Sequence, residues 1–194
     1  RSIDKFILVT NKDWFQLTEK VAKEILKEKL LGVVAGGSSN AKSTLEGVRY
    51  ASRFLSDEDI LLVHDVTDPI VIEKSINHVI DAAKQTGCAA IVTEQVHTLY
   101  TVDEEGFITG TIEKKTVGSG YSPEAFRFSI VRDCFFSSDE DELCAATSAM
   151  SLVQANGIAA KSVISHQVDL KITYKEDMDV LTQMITHGAA LYQE

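Results

Sequence analysis

The amino-acid sequence predicts an α/β protein built in three layers, a mostly parallel sheet with helices on both faces. Two patterns carry that prediction. Short apolar runs of strand length alternate with longer stretches whose apolar residues recur at helical spacing. Alternation of this kind builds parallel sheets through right-handed crossovers. The chain also holds only two prolines, Pro69 and Pro123, in 194 residues, which leaves room for long regular elements because proline interrupts both helices and ladders. One segment departs from the plan. Near 96–113 two alternating runs flank the acidic turn Asp103-Glu104-Glu105-Gly106, the signature of a hairpin.

Residues 3–10 are a short apolar run ended by polar residues and predict a buried strand. From Trp14 to about Lys29, Leu17, Val21, Ile25 and Leu26 recur at helical spacing. Residues 31–35 predict a second strand. The loop GGSSNAKS follows, then a helix over about Thr44–Leu55. Ile60–His64 is the clearest strand, and HDVTDP is the loop at its end. A helix over about Ile70–Gln85 is stopped by Gly87. Residues 88–95 are strand-like. After the hairpin, GSGYSPEAFRF reads as a loop leading to a helix near Phe126–Phe135. The run SSDEDE is a charged turn or a helix start, and a helix spans about Leu143–Asn156 before Gly157. Ile158–Ile164 and Asp169–Thr173 predict two strands, and Lys175–Tyr192 a last helix. No repeat or low-complexity linker divides the chain, so one domain is expected over 1–194, with an arm at about 96–121.

Composition excludes several classes. The chain is 44% hydrophobic, too much for a disordered protein. It carries 19 basic against 29 acidic side chains, a net charge of −10. Nucleic-acid backbones require clustered Lys and Arg, so no nucleic-acid partner is expected. No apolar run approaches the roughly 20 residues of a membrane span, and no secretory signal is visible, so no membrane partner is expected. Cys88, Cys134 and Cys144 are scattered without metal-ligand spacing. That fits a reducing compartment, and a cytoplasmic setting is expected.

Ligands of open α/β sheets sit outside the carboxyl ends of the strands, and three loops fall there. Gly36-Gly37-Ser38-Ser39-Asn40-Ala41-Lys42-Ser43 offers backbone amides and hydroxyls to a ring or an anion; from the residues alone a tight turn with a Ser/Thr helix cap is the favoured explanation. In His64-Asp65-Val66-Thr67-Asp68-Pro69, Asp65 suits a metal ion or a ribose hydroxyl; an Asx turn capped by Thr67 or Asp68 is the other explanation. His64 reads as packed in the sheet. Lys171, between apolar residues, requires an anion: a ligand phosphate or a carboxylate of the protein. Cys144 reads as a buried helical cysteine and His97 as a solvent-facing strand residue.

In order along the chain stand a strand–GG…S–helix unit, a strand–HDxxxP–helix unit, a hairpin arm, an S-P-x-x-F loop and a late KIT segment. The set resembles the cytidylyltransferases that act on small polyol phosphates. One branch of them makes CDP-methylerythritol for isoprenoid synthesis, the other CDP-ribitol for teichoic-acid-type polymers. The resemblance runs from about Ile3 to Met184. IDKFILVTNKDWFQLTEK and EEGFITGTIEK…GYSPEAF are more similar to the ribitol branch.

The resemblance implies a Rossmann-like nucleotidyltransferase fold, CTP and a small polyol phosphate as substrates, Mg²⁺ as cofactor, and a homodimer formed through the arm. Gly37, Ser38 and Ser43 match the loop that recognises the cytosine. Asp65 and Val66 match residues beside the ribose, with Asp65 at the metal. Thr98 and Lys114 match arm positions that reach the polyol phosphate of the partner subunit. Ser122 and Asp68 match substrate-side positions, and Lys171 matches the lysine that steadies the triphosphate. Lys171 and Lys114 are the implied catalytic cations.

The chain also departs from the family pattern. Asp68 stands where the family has arginine, and Asn40 replaces a loop arginine. Glu124 ends the Ser122-Pro123-Glu124 loop. A Thr-Asp pair of the family matches Cys144-Ala145. The family's opening strand and glycine-rich loop have no counterpart, and a unit of roughly 40 residues is expected outside this sequence. Fewer phosphate-binding cations leave an alternative: an inactive or repurposed domain acting in dimerisation or ligand sensing.

Overall fold

A computed structural model describes residues 3–166 and 170–186. β1 (Phe6–Thr10) and β2 (Leu30–Ala35) pair in parallel as a two-stranded sheet. A 3-10 turn at Lys12–Trp14 and the helix α1 (Phe15–Leu26) connect them. The predicted apolar stripe of α1 is present but largely uncovered: Leu17, Val21 and Ile25 are exposed and only Ala22 is buried. The helix α2 (Asn40–Ala51) starts four residues earlier than its apolar periodicity suggests. Ser39 Oγ accepts the Lys42 N–H at 3.2 Å, an N-cap that satisfies one free amide of the first turn.

The second sheet holds β3 (Ile60–Val63), β7 (Gly118–Arg127), β4 (Cys88–Glu94) and β8 (Lys161–Ile164), in that order. β7 is antiparallel to both β3 and β4, while β8 is parallel to β4. Three of the four strands therefore run one way, as a mostly parallel α/β fold requires. The helix α3 (Glu73–Thr86) links β3 to β4 and ends at Gly87, whose φ of +94° favours glycine.

β7 corrects the sequence reading. Residues 118–127, read as a loop, are the longest strand. Tyr121, Pro123 and Ala125 are buried at alternate positions, but Gly118, Gly120 and Pro123 imitate a loop. Pro123 is accommodated at a bulge. The β4 register steps from Ala90↔Glu124 to Ile91↔Tyr121, passing over Ser122 and Pro123.

The hairpin β5 (Leu99–Val102) and β6 (Ile108–Ile112) is a sheet of its own. Its turn is tied by Asp103 Oδ1, which accepts the N–H groups of Glu105 and Phe107. After β7 comes α4 (Phe128–Ser137). The single helix predicted over 143–156 is two, α5 (Glu140–Ala145) and α6 (Ala149–Ala155). Asp139 caps the first and Ser148 the second, each in a capping box, so the chain breaks at 146–148. Cys144 is exposed, not buried. Residues 170–173 form no strand, and Ile172 N–H donates instead to the Thr67 carbonyl at 2.8 Å; Asp169 lies outside the described residues. The helix α7 (Lys175–Thr186) is the described part of the last predicted helix.

Two cores lie on opposite faces of the larger sheet. Leu45, Val48, Phe126, Phe128, Val131, Phe135, Leu152 and Val153 join α2, α4 and α6 on one face. Val79, Ala83, Ala89, Ile91, Tyr121 and Ala125 join α3 to the other. Neighbours such as Ala125 and Phe126 point to opposite sides, as the pleat dictates. Among the described residues no helix is long and apolar enough to cross a membrane.

Candidate active site

A cavity of about 550 Å³ separates the two sheets. Ile7, Leu8 and Val9 of β1 border it on one side and Leu61, Leu62 and Val63 of β3 on the other. Successive residues line it, so each strand turns an edge toward the cavity. Neither strand is paired there: β1 pairs with β2 and β3 with β7 among the described residues. The polar end of the cavity lies just past β3, where Asp65, Val66, Asp68, Ser122 and Lys171 meet. That is the carboxyl end of a strand, the ligand position of open α/β sheets.

Asp65 forms the predicted Asx turn and more. Its Oδ1 accepts the N–H and the hydroxyl of Thr67, at 3.1 and 2.8 Å. Its Oδ2 accepts Lys171 Nζ at 2.9 Å. Partial burial pushes this carboxyl up, but the bonds from Lys171 and Thr67 outweigh it and hold the group below its ordinary pKa. A protein carboxylate is thus one partner of Lys171, which is half exposed.

Asp68 caps no helix; α3 begins five residues later, at Glu73. Its carboxylate is buried, and Oδ2 accepts the Ser122 hydroxyl at 2.6 Å. Oδ1 is buried without a hydrogen bond, and Lys171 Nζ stands 3.9 Å from it. Ser122, which β4 skips at the bulge, also accepts the Asp65 N–H at 3.2 Å and lies 2.9 Å from His64 Nδ1. His64 is therefore a wall of the cavity rather than filler in the sheet. Desolvation lowers its pKa more than Asp68 and Asp65 raise it.

The glycine-rich loop contributes less than the sequence suggests. Ser43 lines the cavity, whereas Gly37 and Ser38 do not. Gly37 has a packing reason: a Cβ there would lie 2.5 Å from Lys42 Cβ and 3.0 Å from its backbone carbon. Thr98 and Lys114 also stay off the cavity wall. Thr98 is exposed before the hairpin, as is His97. Lys114 donates to the Val96 carbonyl at 3.2 Å.

Glu124, noted in the sequence as a carboxylate in the Ser122-Pro123-Glu124 loop, is on the cavity wall, and so are Thr147 and Ser148, which the sequence reading missed. Cys144 and Ala145, matched to the Thr-Asp pair, are not on it. Burial pushes the Glu124 carboxyl up, against the opposing bonds of Ser148 and the Met150 and Ala149 amides. The Met150 N–H reaches its Oε2 at 3.0 Å. The signal for 147–148 was the Thr-Ser pair before an apolar run, a helix-cap pattern.

No group of three or more His, Cys, Asp and Glu side chains gathers among the described residues. Two carboxylates, Asp65 and Asp68, face the same end of the cavity. An oxygen-only pair of that size suits Mg²⁺, which takes one or two carboxylates and completes its shell with phosphate and water. The unbonded Oδ1 of Asp68 fits such a role.

Comparison with known proteins gives one family. Its model, described as IspD: 2-C-methyl-D-erythritol 4-phosphate cytidylyltransferase, matches residues 1–187. A curated protein of Syntrophus aciditrophicus, named 2-C-methyl-D-erythritol 4-phosphate cytidylyltransferase, is 28% identical over 177 residues, 91% of this chain and 74% of its own. One of the same name from Thermosipho africanus is 26% identical over 188 residues, 93% of this chain and 81% of its own. Among solved structures, the 4-diphosphocytidyl-2C-methyl-D-erythritol synthase of Anaerococcus prevotii superposes with a TM-score of 0.76 at 22% identity, over 94% of this chain and 79% of that one. The cytidylyltransferase of Francisella tularensis does so with a TM-score of 0.75 at 17% identity, over 93% and 80%. At these identities the superpositions establish the fold.

Proposed function

Because the chain belongs to the 2-C-methyl-D-erythritol 4-phosphate cytidylyltransferase family, we propose that it transfers the cytidylyl group of CTP to 2-C-methyl-D-erythritol 4-phosphate. An oxygen of the acceptor phosphate bonds to the α-phosphorus of CTP. The bond from that phosphorus to the bridging oxygen breaks, and pyrophosphate leaves with the electron pair. No covalent enzyme intermediate is needed, so catalysis consists of positioning and charge stabilisation.

The observation that carries this reading is the meeting of Lys171 and Asp65. They are 106 residues apart in sequence and bonded at the polar end of the cavity. Lys171 supplies the positive charge for the triphosphate. Asp65 and Val66 sit beside the ribose, with Ser43, Gly37 and Ser38 on the side of the base. Ser122 and Asp68 face the acceptor. Lys114 and Thr98 act from the arm of a second subunit, which makes the working form a homodimer. Asp65, with Asp68, would hold Mg²⁺, which neutralises phosphate charge when bound. Three free cysteines fit a reducing, cytoplasmic setting.

The test is pyrophosphate release with CTP, Mg²⁺ and 2-C-methyl-D-erythritol 4-phosphate, with ribitol 5-phosphate in parallel. Release with the first is expected, and Lys171→Ala should lower it by roughly 10²–10³-fold with the fold intact. Preference for ribitol 5-phosphate would move the acceptor to the other branch. No release with either, and no CTP binding by calorimetry, would overturn the reading. One observation favours a second reading, a ligand-sensing copy without turnover: Asp68 puts a buried carboxylate where the resembling enzymes carry arginine. CTP binding without release is its signature.

A further inference from the structure

Away from the polar end of the cavity, one cluster of reactive side chains has no part in the function proposed above. Lys42, in the first turn of α2, pairs with Glu140 Oε1 of α5. Glu140 and Cys144 lie four residues apart and share one face of α5. The Cys144 thiol reaches the same Oε1, at 4.0 Å. An amine and a thiol from two helices thus converge on one carboxylate oxygen. They also act on each other: the hydrogen bond to Glu140 does most to hold the Lys42 ammonium above its ordinary pKa, and Cys144 adds to it. Cys144 is exposed, whereas Cys88 and Cys134 are buried, so Cys144 is the thiol that a dissolved oxidant meets.

We propose that Cys144 and Lys42 are a modification site, joined by a reversible sulfenamide bond when the protein meets a peroxide. A neighbouring ammonium favours the thiolate, the form that peroxide attacks. One peroxide oxygen bonds to Sγ as the O–O bond breaks, and the other leaves as water with the thiol proton. Sulfur gives up two electrons and peroxide takes them, which leaves a sulfenic acid. Glu140 then accepts one proton from the Lys42 ammonium. Nζ attacks Sγ, the S–O bond breaks, and the hydroxide leaves as water with a second proton from Nζ. An S–N bond remains, with one hydrogen on Nζ. Two molecules of a thiol reductant reverse the step: they become a disulfide, and the Cys144 thiol and the Lys42 amine return.

The place of the bond gives it a consequence. Asn40, Ser43 and Thr44 of α2 line one part of the cavity, and Thr147 and Ser148, just past α5, line another. A bond between Lys42 and Cys144 fixes these two walls to each other. Oxidation would reach the cavity in this way without touching Asp65, Ser122 or Lys171, whatever ligand the cavity takes. In a reducing compartment such a bond is transient, as redox-sensing bonds there are.

The test treats the full chain with hydrogen peroxide, removes the excess with catalase and maps tryptic peptides by mass spectrometry. The peptides that hold Lys42 and Cys144 should appear joined, at the sum of their masses less two hydrogens, and dithiothreitol should separate them. Lys42→Arg keeps the cation but not the amine. Dimedone, which traps sulfenic acids, should label Cys144 severalfold more in Lys42→Arg than in wild type. Cys144→Ser should give neither product. Circular dichroism checks that the variants are folded. A sulfinic acid, an intermolecular disulfide or an unreacted thiol at Cys144 of the wild type, in place of the joined peptides, would overturn the cross-link. Equal dimedone labelling of wild type and Lys42→Arg would do the same.

Discussion

The Asp68 carboxylate accepts the Ser122 hydroxyl at 2.6 Å, which ties the loop after β3 to the bulge in β7 across 54 residues of sequence. Ser122→Ala would leave both oxygens of a buried carboxylate without a donor. It should destabilise the protein by about 1–3 kcal/mol, read as a lower urea midpoint. Ser122→Thr keeps the hydroxyl and should recover most of that loss. An alanine variant with the wild-type midpoint would show that water serves Asp68 equally well.

Gly37 is a packing glycine. The Cβ of Gly37→Ala would meet Lys42 Cβ at 2.5 Å and its backbone carbon at 3.0 Å. Backbone cannot yield as a flexible side chain does, so the loop must shift from the start of α2. Thermal unfolding should report a loss of about 1–3 kcal/mol. Ser38→Ala, at an exposed position with no such contact, should stay within roughly 0.5 kcal/mol of wild type.

Glu124 and Asp65 should give the stability–pH profile two opposed slopes. Burial raises the Glu124 pKa in the folded state. The folded protein then binds the proton more readily than the unfolded chain, and stability rises as pH falls from neutral through the raised value. The rise ends near about 4.3, where the unfolded chain protonates too. Asp65 is lowered, so its contribution is present above about 3.9 and is lost as pH falls through its depressed value. Urea midpoints of wild type and Glu124→Gln from pH 7 to 4.5 isolate the first slope. The difference between them should move toward wild type as acid is added; a constant difference would contradict the raised value.

The hairpin exposes Phe107 at 66% and Ile108 at 63%. A lone hairpin is marginal in water and needs a surface to lie on. Sedimentation at micromolar concentration should give a dimer, and Phe107→Asp with Ile108→Asp should give monomers with unchanged far-ultraviolet dichroism. A wild-type monomer would remove the arm from the assembly and leave Thr98 and Lys114 without a site to reach.

Alternation of apolar runs and helical periodicity made the layers legible, because each element buries its own regular face. β7 was hidden because its strand alternation is interrupted by two glycines and a proline, all tolerated at a bulge that only the pairing reveals. The break before α6 was hidden because Ser148 reads as a helix residue until its side chain is seen to cap the next turn. Asp65 was legible as a loop residue at a strand end, Ser122 as a polar loop residue and Lys171 as a cation in need of an anion. Their meeting was not, since it depends on contacts 57 and 106 residues apart. His64 was misjudged because its place on the cavity wall comes with a contact to Ser122, 58 residues away in sequence.

The edges of β1 and β3 that border the cavity have a consequence for pairing. Unpaired strand edges recruit other strands, and here two of them face one opening. One extended segment entering that opening would meet both edges at once, so a single added strand could join the two sheets into one.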